Sequence, residues 1–404
     1  MHPRRRRWLF RSLIVVVVIV VLFVVLGGAV TIWPDFGAKG IAAMRAVIGD
    51  RAATAFEGFV LGVQDWFHHV EYALGIGHAQ NPFVATDDPS SSTLPATSST
   101  TSPTTESTTY TGSSNAGPAT TTSTTEPPWQ PAALQPMGTL QDEGQWAPYL
   151  VDQEARTVAY RTILQPDPTR PYALAAIVAV NTQRTRLHFV LGTQEPVSAE
   201  KIARPGKIPA AALVPGSILA AFNGGFQAKH GQFGAMADGV EALPPRDGLG
   251  TLVIYKDGHL DLGAWGTDVT QTPDVESWRQ NGPAVIAHGA INPLTLVNDT
   301  QNWGIGLKGI VATWRTAVGL SKDRRTLYFV IGPSLTIGAL ATAMQQAGVW
   351  DGLQLDINKS WTRFDQATFK KNKLVAVPLL PEIIQDNRLF QSYKRDFFYL
   401  TAAS

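Results

Sequence analysis

Cysteine is missing altogether from the 404 residues. That excludes disulfides, cysteine nucleophiles and thiolate metal sites. It leaves the compartment open, because an exported chain can do without disulfides. A surplus of either charge is missing too, with 33 Lys and Arg against 32 Asp and Glu. Nothing here makes the basic footprint that nucleic-acid binding requires, so no nucleic-acid partner is expected. The common catalytic signatures are also lacking: there is no Gly-x-Ser-x-Gly elbow, no His-Glu-x-x-His and no P-loop.

What is present starts at the N-terminus. Arg4, Arg5, Arg6, Arg7 and Arg11 precede an almost purely apolar run from Leu13 to Trp33. At about 1.5 Å per residue, such a run spans a hydrocarbon core of about 30 Å. A buried core helix would not need so uniform a surface. A cleavable signal peptide would have an apolar region of about 7–15 residues and a small-x-small site behind it, and Gly27-Gly28-Ala29 is the nearest approach to one. The run reads as an uncleaved signal anchor in the lipid bilayer over 13–33. Residues 1–12 form a basic cytoplasmic tail, and everything after Trp33 lies outside the cytoplasm.

Residues 36–76 read as helical. Ile41, Met44 and Ile48 share one face, as do Phe56, Phe59, Val63, Trp66, Phe67 and Val70. Asp50 is an N-cap candidate and Gly75 a stop. A stripe this rich in aromatics has to be covered, and self-association through 36–76, the membrane surface and the main domain all remain open. The adjacent His68 and His69 point in different directions on a helix, as surface residues do rather than a metal pair.

From Asp87 to Pro128 the composition collapses into Ser and Thr with scattered Pro, Gly and Ala. Such a segment has little to bury and cannot offset its ordering entropy. The expectation for 87–128 is a flexible stalk, open to glycosylation, that holds the next domain off the membrane.

Residues 145–402 are globular in composition. Tyr172–Asn181 and Arg186–Leu191 read as paired strands, Thr251–Tyr255 and His259–Leu262 as a hairpin, and Ala312–Leu320 and Thr326–Gly332 as another. Ser217–Phe222 and Gly352–Asp356 read as buried strands, and Thr336–Gly348 as a helix ended by Gly348. The fold class expected is α+β, with a mixed, largely antiparallel sheet and a few helices.

Polar residues gather at the ends of these strands. Asn223-Gly224-Gly225-Phe226 is followed by Lys229, His230, Gly231, Asp238 and Gly239. Further groups are Arg279-Gln280-Asn281-Gly282-Pro283, then Arg315-Thr316-Ala317-Val318-Gly319, then Asp356 with Ser360 behind it. In their order and spacing, these segments across 217–362 resemble the phosphodiester glycosidase family. The resemblance implies a hydrolase acting on sugar-1-phosphate diesters of cell-envelope or extracellular glycans. Under it Arg315 binds the phosphate, a role suited to a planar guanidinium. Asp356 is nucleophile, base or cation holder, His230 protonates a leaving group, and Asp238 is a second carboxylate or a turn residue. Asn223, Gly224, Gly225, Asn281, Thr316 and Ser360 line the substrate. No cofactor is required; Asp356 and Asp238 could hold a divalent cation, though no ligand spacing demands one.

The chain departs from the family at one turn. Ile357, Asn358 and Lys359 stand where the family carries glycines after its Asp, and Trp314 where it often has Pro. A rival reading therefore keeps the fold without full catalysis, as a glycan-binding or envelope-organising protein.

Overall fold

The structure, a computed structural model, describes residues 47, 50–84, 129–297, 301–303 and 311–403. The apolar run 13–33 and the whole Ser/Thr-rich segment 87–128 lie outside the described residues. Among the described residues no helix is long and apolar enough to cross a membrane.

Helix α1 (Asp50–Ala73) comes first, then β1 (Ala147–Val151), β2 (Thr157–Leu164), β3 (Ala175–Asn181), β4 (Thr185–Val190) and β5 (Ile218–Asn223). There follow β6 (Ala235–Ala237), β7 (Val240–Leu243), β8 (Gly250–Tyr255), β9 (Leu260–Ala264) and β10 (Val275–Gln280). Two short strands, β11 (Ile286–Ala287) and β12 (Ala290–Ile291), precede β13 (Thr313–Leu320), β14 (Thr326–Leu335) and helix α2 (Ile337–Gln346). The series is completed by β15 (Asp351–Gln354), β16 (Phe364–Lys370), β17 (Lys373–Pro378) and β18 (Phe397–Ala402).

The strands form three sheets. The largest runs β1-β2-β3-β14-β13-β15-β11-β12, the second β17-β16-β5-β18-β4 and the third β7-β6-β10-β8-β9. Every pairing between these strands is antiparallel. With two α-helices among the described residues, this is a sheet-rich α+β fold.

The large sheet is covered on both faces, which explains why its central strands are apolar throughout rather than alternating. In β3, Ala176, Val178 and Val180 face the second sheet, while Ala175, Ile177 and Ala179 face α2. Between the two sheets the Phe222 ring lies 5.0, 5.8 and 5.2 Å from those of Phe329, Phe364 and Phe398. On the other face, Leu340, Ala341 and Met344 of α2 are fully buried. Thr336 caps this helix by accepting from the Ala339 N–H at 3.0 Å, and Gly348 ends it with φ +90°.

The two expected hairpins form, as β8–β9 and β13–β14. The third expected pairing does not. β3 pairs with β2 and β14, whereas β4 pairs with β18 in the second sheet. The turn at 182–184 is a corner that carries the chain from one sheet to the other.

Helix α1 docks on this body. Arg170 Nε and Nη2 donate to the Asp65 carboxylate at 3.0–3.1 Å, and the Tyr172 hydroxyl donates to it at 2.7 Å. Past the helix, Asn81 Nδ2 donates to the Gln141 carbonyl at 2.8 Å, and Arg161 stacks 4.4 Å over Phe83. On the far side of the Ser/Thr-rich segment, Trp129 packs 5.8 Å from Tyr160. Both flanks of that segment therefore rest on one domain. The expected stalk itself, 87–128, lies outside the described residues. The docked side of α1 carries Asp65 and Tyr72; of the aromatic stripe singled out in the sequence, Phe59, Trp66 and Phe67 are exposed.

Candidate functional site

The three sheets meet at Asn223-Gly224-Gly225-Phe226. Asn223 ends β5, and its Nδ2 donates to Thr316 Oγ1 on β13 of the large sheet at 3.0 Å. The backbone N–H groups of Gly224 and Gly225 donate to the carbonyl and Oδ2 of Asp396, the residue just before β18 of the second sheet, at 3.1 and 3.2 Å. Phe226 N–H donates to Asn281 Oδ1 beside the third sheet at 3.0 Å, and its carbonyl accepts from Arg279 Nη2 at 2.7 Å.

The two glycines are there for close approach, since neither has positive φ. A Cβ on Gly224 would sit 2.3 Å from Asp396 Oδ2, and one on Gly225 would sit 2.9 Å from the Arg279 guanidinium.

A shallow cleft of about 160 Å³, open solvent included, lies against this junction. Asn223, Gly224, Asp356, Trp361, Tyr393, Arg395 and Asp396 line it. Arg395 Nη2 pairs with Asp356 Oδ2 at 2.7 Å, and Arg279 Nε pairs with Asp396 Oδ2 at 2.7 Å. Two guanidiniums thus balance two carboxylates in a buried cluster. Such charges are tolerable only when paired. The Arg395 guanidinium also stacks 5.0 Å from the Trp361 ring. Asp396 Oδ1 is buried and has no hydrogen-bond partner among the described residues.

Burial pushes Asp356 above the ordinary carboxylate range. Arg395 and two backbone N–H groups work against that rise. Those N–H groups belong to Ile357 and Asn358, which donate to Asp356 Oδ1 at 2.7 and 3.2 Å. Here the turn without glycines becomes intelligible. None of Ile357, Asn358 and Lys359 has positive φ, so the backbone needs no glycine, and the carboxylate itself caps the bend. Ile357 is buried.

Of the residues singled out in the sequence, Asn223, Gly224, Gly225, Thr316 and Asp356 come together. Thr316 sits behind Asp356, accepting from its N–H at 3.1 Å. Asn281 lies beneath, fully buried, its Nδ2 donating to the Gln354 and Leu355 carbonyls at 2.6 and 2.8 Å.

Arg315 is placed elsewhere. Neighbouring strand residues point to opposite faces, so it occupies the reverse side of β13 from Thr316. There it donates to the Leu335 carbonyl, Gln354 Oε1 and the Val311 carbonyl at 2.8, 2.6 and 3.1 Å. Burial pulls its pKa down to about 9. The guanidinium at the cleft is Arg395 instead.

His230 is exposed in a single 3₁₀ turn, Ala228–His230, and does not line the cleft. Asp238 is exposed in the β6–β7 turn with φ +50°, also outside the lining. Ser360 lines a second hollow with Lys359, Thr362, Arg363 and Arg388. Among the described residues, no three acidic or histidine side chains gather as a metal cage would need.

Sequence reasoning missed Arg395 and Asp396. Their one local signal is the charged Lys394-Arg395-Asp396 abutting the apolar run Phe397–Leu400.

Comparison with known proteins bears on this arrangement. No curated protein sequence matches the chain. The zebrafish N-acetylglucosamine-1-phosphodiester alpha-N-acetylglucosaminidase catalytic domain, solved auto-inhibited by its pro-peptide, is similar at 14% identity and a TM-score of 0.40. That alignment covers 63% of this chain and 87% of the zebrafish one. A hypothetical protein from Synechocystis is similar at 11% identity and a TM-score of 0.36, covering 64% of each chain. The phosphodiester glycosidase family model matches residues 216–368, a stretch that holds Asn223, Asn281, Thr316 and Asp356. Residues 216–368 are thus similar to the phosphodiester glycosidase family.

Proposed function

We propose that this chain is a phosphodiester glycosidase, held outside the cytoplasm by residues 13–33 and acting on sugar-1-phosphate diesters of envelope or extracellular glycans. The observation that carries the reading is the pair of buried carboxylates, Asp356 and Asp396, lining one cleft with Arg395. Hydrolysis at an anomeric carbon calls for two carboxyl groups, one to give a proton and one to attack or to activate water.

The environments of the two differ in the way such a division needs. Burial favours the protonated form of Asp356. Asp396 has one oxygen held by Arg279 and the other unpartnered. A phosphodiester brings one negative charge into a cluster that is otherwise balanced. Its arrival would raise Asp356 further, favouring uptake of the proton that a general acid must hold. Arg395 supplies the charged donor at the cleft edge, while the two glycine amides already donate to Asp396. The cleft takes only part of such a substrate, because pockets that enclose a drug-sized ligand run to about 300–1,000 Å³.

The rival reading, a glycan-binding protein with weak or no turnover, also has an observation behind it. Asp356 is engaged by three donors, and Ile357 closes the turn where relatives carry glycine.

A chromogenic sugar-1-phosphodiester incubated with the full chain separates the two. The enzyme reading expects turnover that Asp356→Asn and Asp396→Asn each reduce by at least about a hundredfold, the scale of lost acid–base catalysis. Saturable binding without turnover favours the rival. Turnover untouched by both substitutions would move the site away from this cleft.

A further inference from the structure

The docked face of α1 is one side of a two-sided helix. Asp65 and Tyr72, seven residues apart, share the side turned to the domain, where the Tyr172 ring lies 6.3 Å from that of Tyr72. At about 100° per residue, Trp66 and Phe67 stand about 100° and 200° around the helix from Asp65, and Leu74 about 180°. Apolar surface therefore points away from the body that holds the helix. Trp66 is 60% exposed, Phe67 40%, Leu74 67% and the following Ile76 72%. Trp66 and Phe67 pack edge to face on each other at 5.1 Å, so they form one raised patch.

We infer that this patch lies in the interface of the lipid bilayer, so that α1 fixes the domain directly on the membrane surface. The inference rests on residues 13–33 spanning that bilayer. Residues 34–49 alone separate that span from α1. Sixteen residues reach about 24 Å as helix and about 55 Å fully extended, so α1 cannot leave the neighbourhood of the lipid. A tryptophan and a phenylalanine on the free side of an amphipathic helix match the headgroup level, which favours rings with an apolar body and a wet edge. The Arg170–Asp65 grip then acts as the joint between domain and membrane.

The absence of cysteine makes the test clean. Single Trp66→Cys, Phe67→Cys and Leu74→Cys variants of the full chain are labelled with an environment-sensitive fluorophore and reconstituted into phosphatidylcholine–phosphatidylglycerol vesicles. Lys373→Cys, exposed on the domain, is the control. The labels at 66, 67 and 74 should be quenched by spin-labelled acyl chains and shielded severalfold from aqueous iodide, while the control stays open to iodide. Three sites guard against one variant misfolding. A vesicle-bound chain whose three labels are as open to iodide as the control overturns the inference alone. Shielding that disappears when the protein is diluted in lipid overturns it in favour of a second copy. A chain recovered free of the vesicles overturns the anchor and the inference together.

Discussion

Arg315 and Thr316 are consecutive in one strand and serve opposite faces of it. Thr316 backs the cleft; Arg315 is enclosed among carbonyls and Gln354 on the far side. Arg315→Met should destabilise the chain by about 1–3 kcal/mol, because Gln354 Oε1 and two carbonyls lose a donor. It should leave the binding of inorganic phosphate unchanged, whereas Arg395→Met should abolish it; calorimetric titration reads both. Phosphate lost on Arg315→Met with the fold intact would restore Arg315 as the anion ligand. The alternation that separates these two neighbours was available from the strand period, but which face meets the cleft depends on β5 and β18, far away in sequence. The Asn223 cluster was legible because strand ends and glycines are local signals. Arg395 and Asp396 were not, since 172 residues separate Asn223 from Arg395 and only strand pairing joins them. A second prediction concerns His188, stacked 4.5 Å from Tyr399. Burial, with the charge of Arg186, holds it down to about 4. In the unfolded chain it titrates near 6.5, so between those values the unfolded state binds more protons and stability falls as pH drops. The loss is on the order of 2 kcal/mol after allowance for partial exposure. His188→Gln should flatten that limb in urea denaturation between pH 7 and pH 4.5.

Elements tell a similar story of local against distant causes. The hairpins β8–β9 and β13–β14 were legible because their turns, Lys256-Asp257-Gly258 and Ser321-Lys322-Asp323-Arg324, lie between apolar runs. Helix α2 was legible from its period and its two ends. β3 and β4 looked equally hairpin-like, yet β3 is buried on both faces and finds its partners in β2 and β14. The pairing of a doubly covered strand is decided by what covers it, which no short window reveals. The cap on α2 is a local contribution that can be measured. Thr336→Ala removes the acceptor for the Ala339 N–H and should cost about 1 kcal/mol, seen as a lower urea midpoint with unchanged slope.

For the molecule as a whole, residues 50–84 and 129–403 behave as one body joined by noncovalent contacts at Asp65, Asn81 and Phe83. If that is so, a cut inside 85–128 should not separate them. A protease site inserted near residue 105, cleaved in detergent, should yield two fragments that still co-elute on size exclusion. Arg170→Ala, which strips Asp65 of its cation, should weaken that association; fragments that part without the substitution would show the docking to be too weak to matter. Composition alone gave the expectation that 87–128 forms no core, and could not say where the flanking residues Phe83 and Trp129 sit.

The docking of both Phe83 and Trp129 on one domain has a consequence for how the chain can change. A tether that sets the distance between two bodies is constrained in length, because every added residue alters reach. A segment whose two ends are pinned to the same surface carries no such constraint. Doubling its length adds only about 0.6 kcal/mol of closure entropy. Residues 85–128 can thus lengthen, shorten or turn over in composition with little effect on where the domain stands.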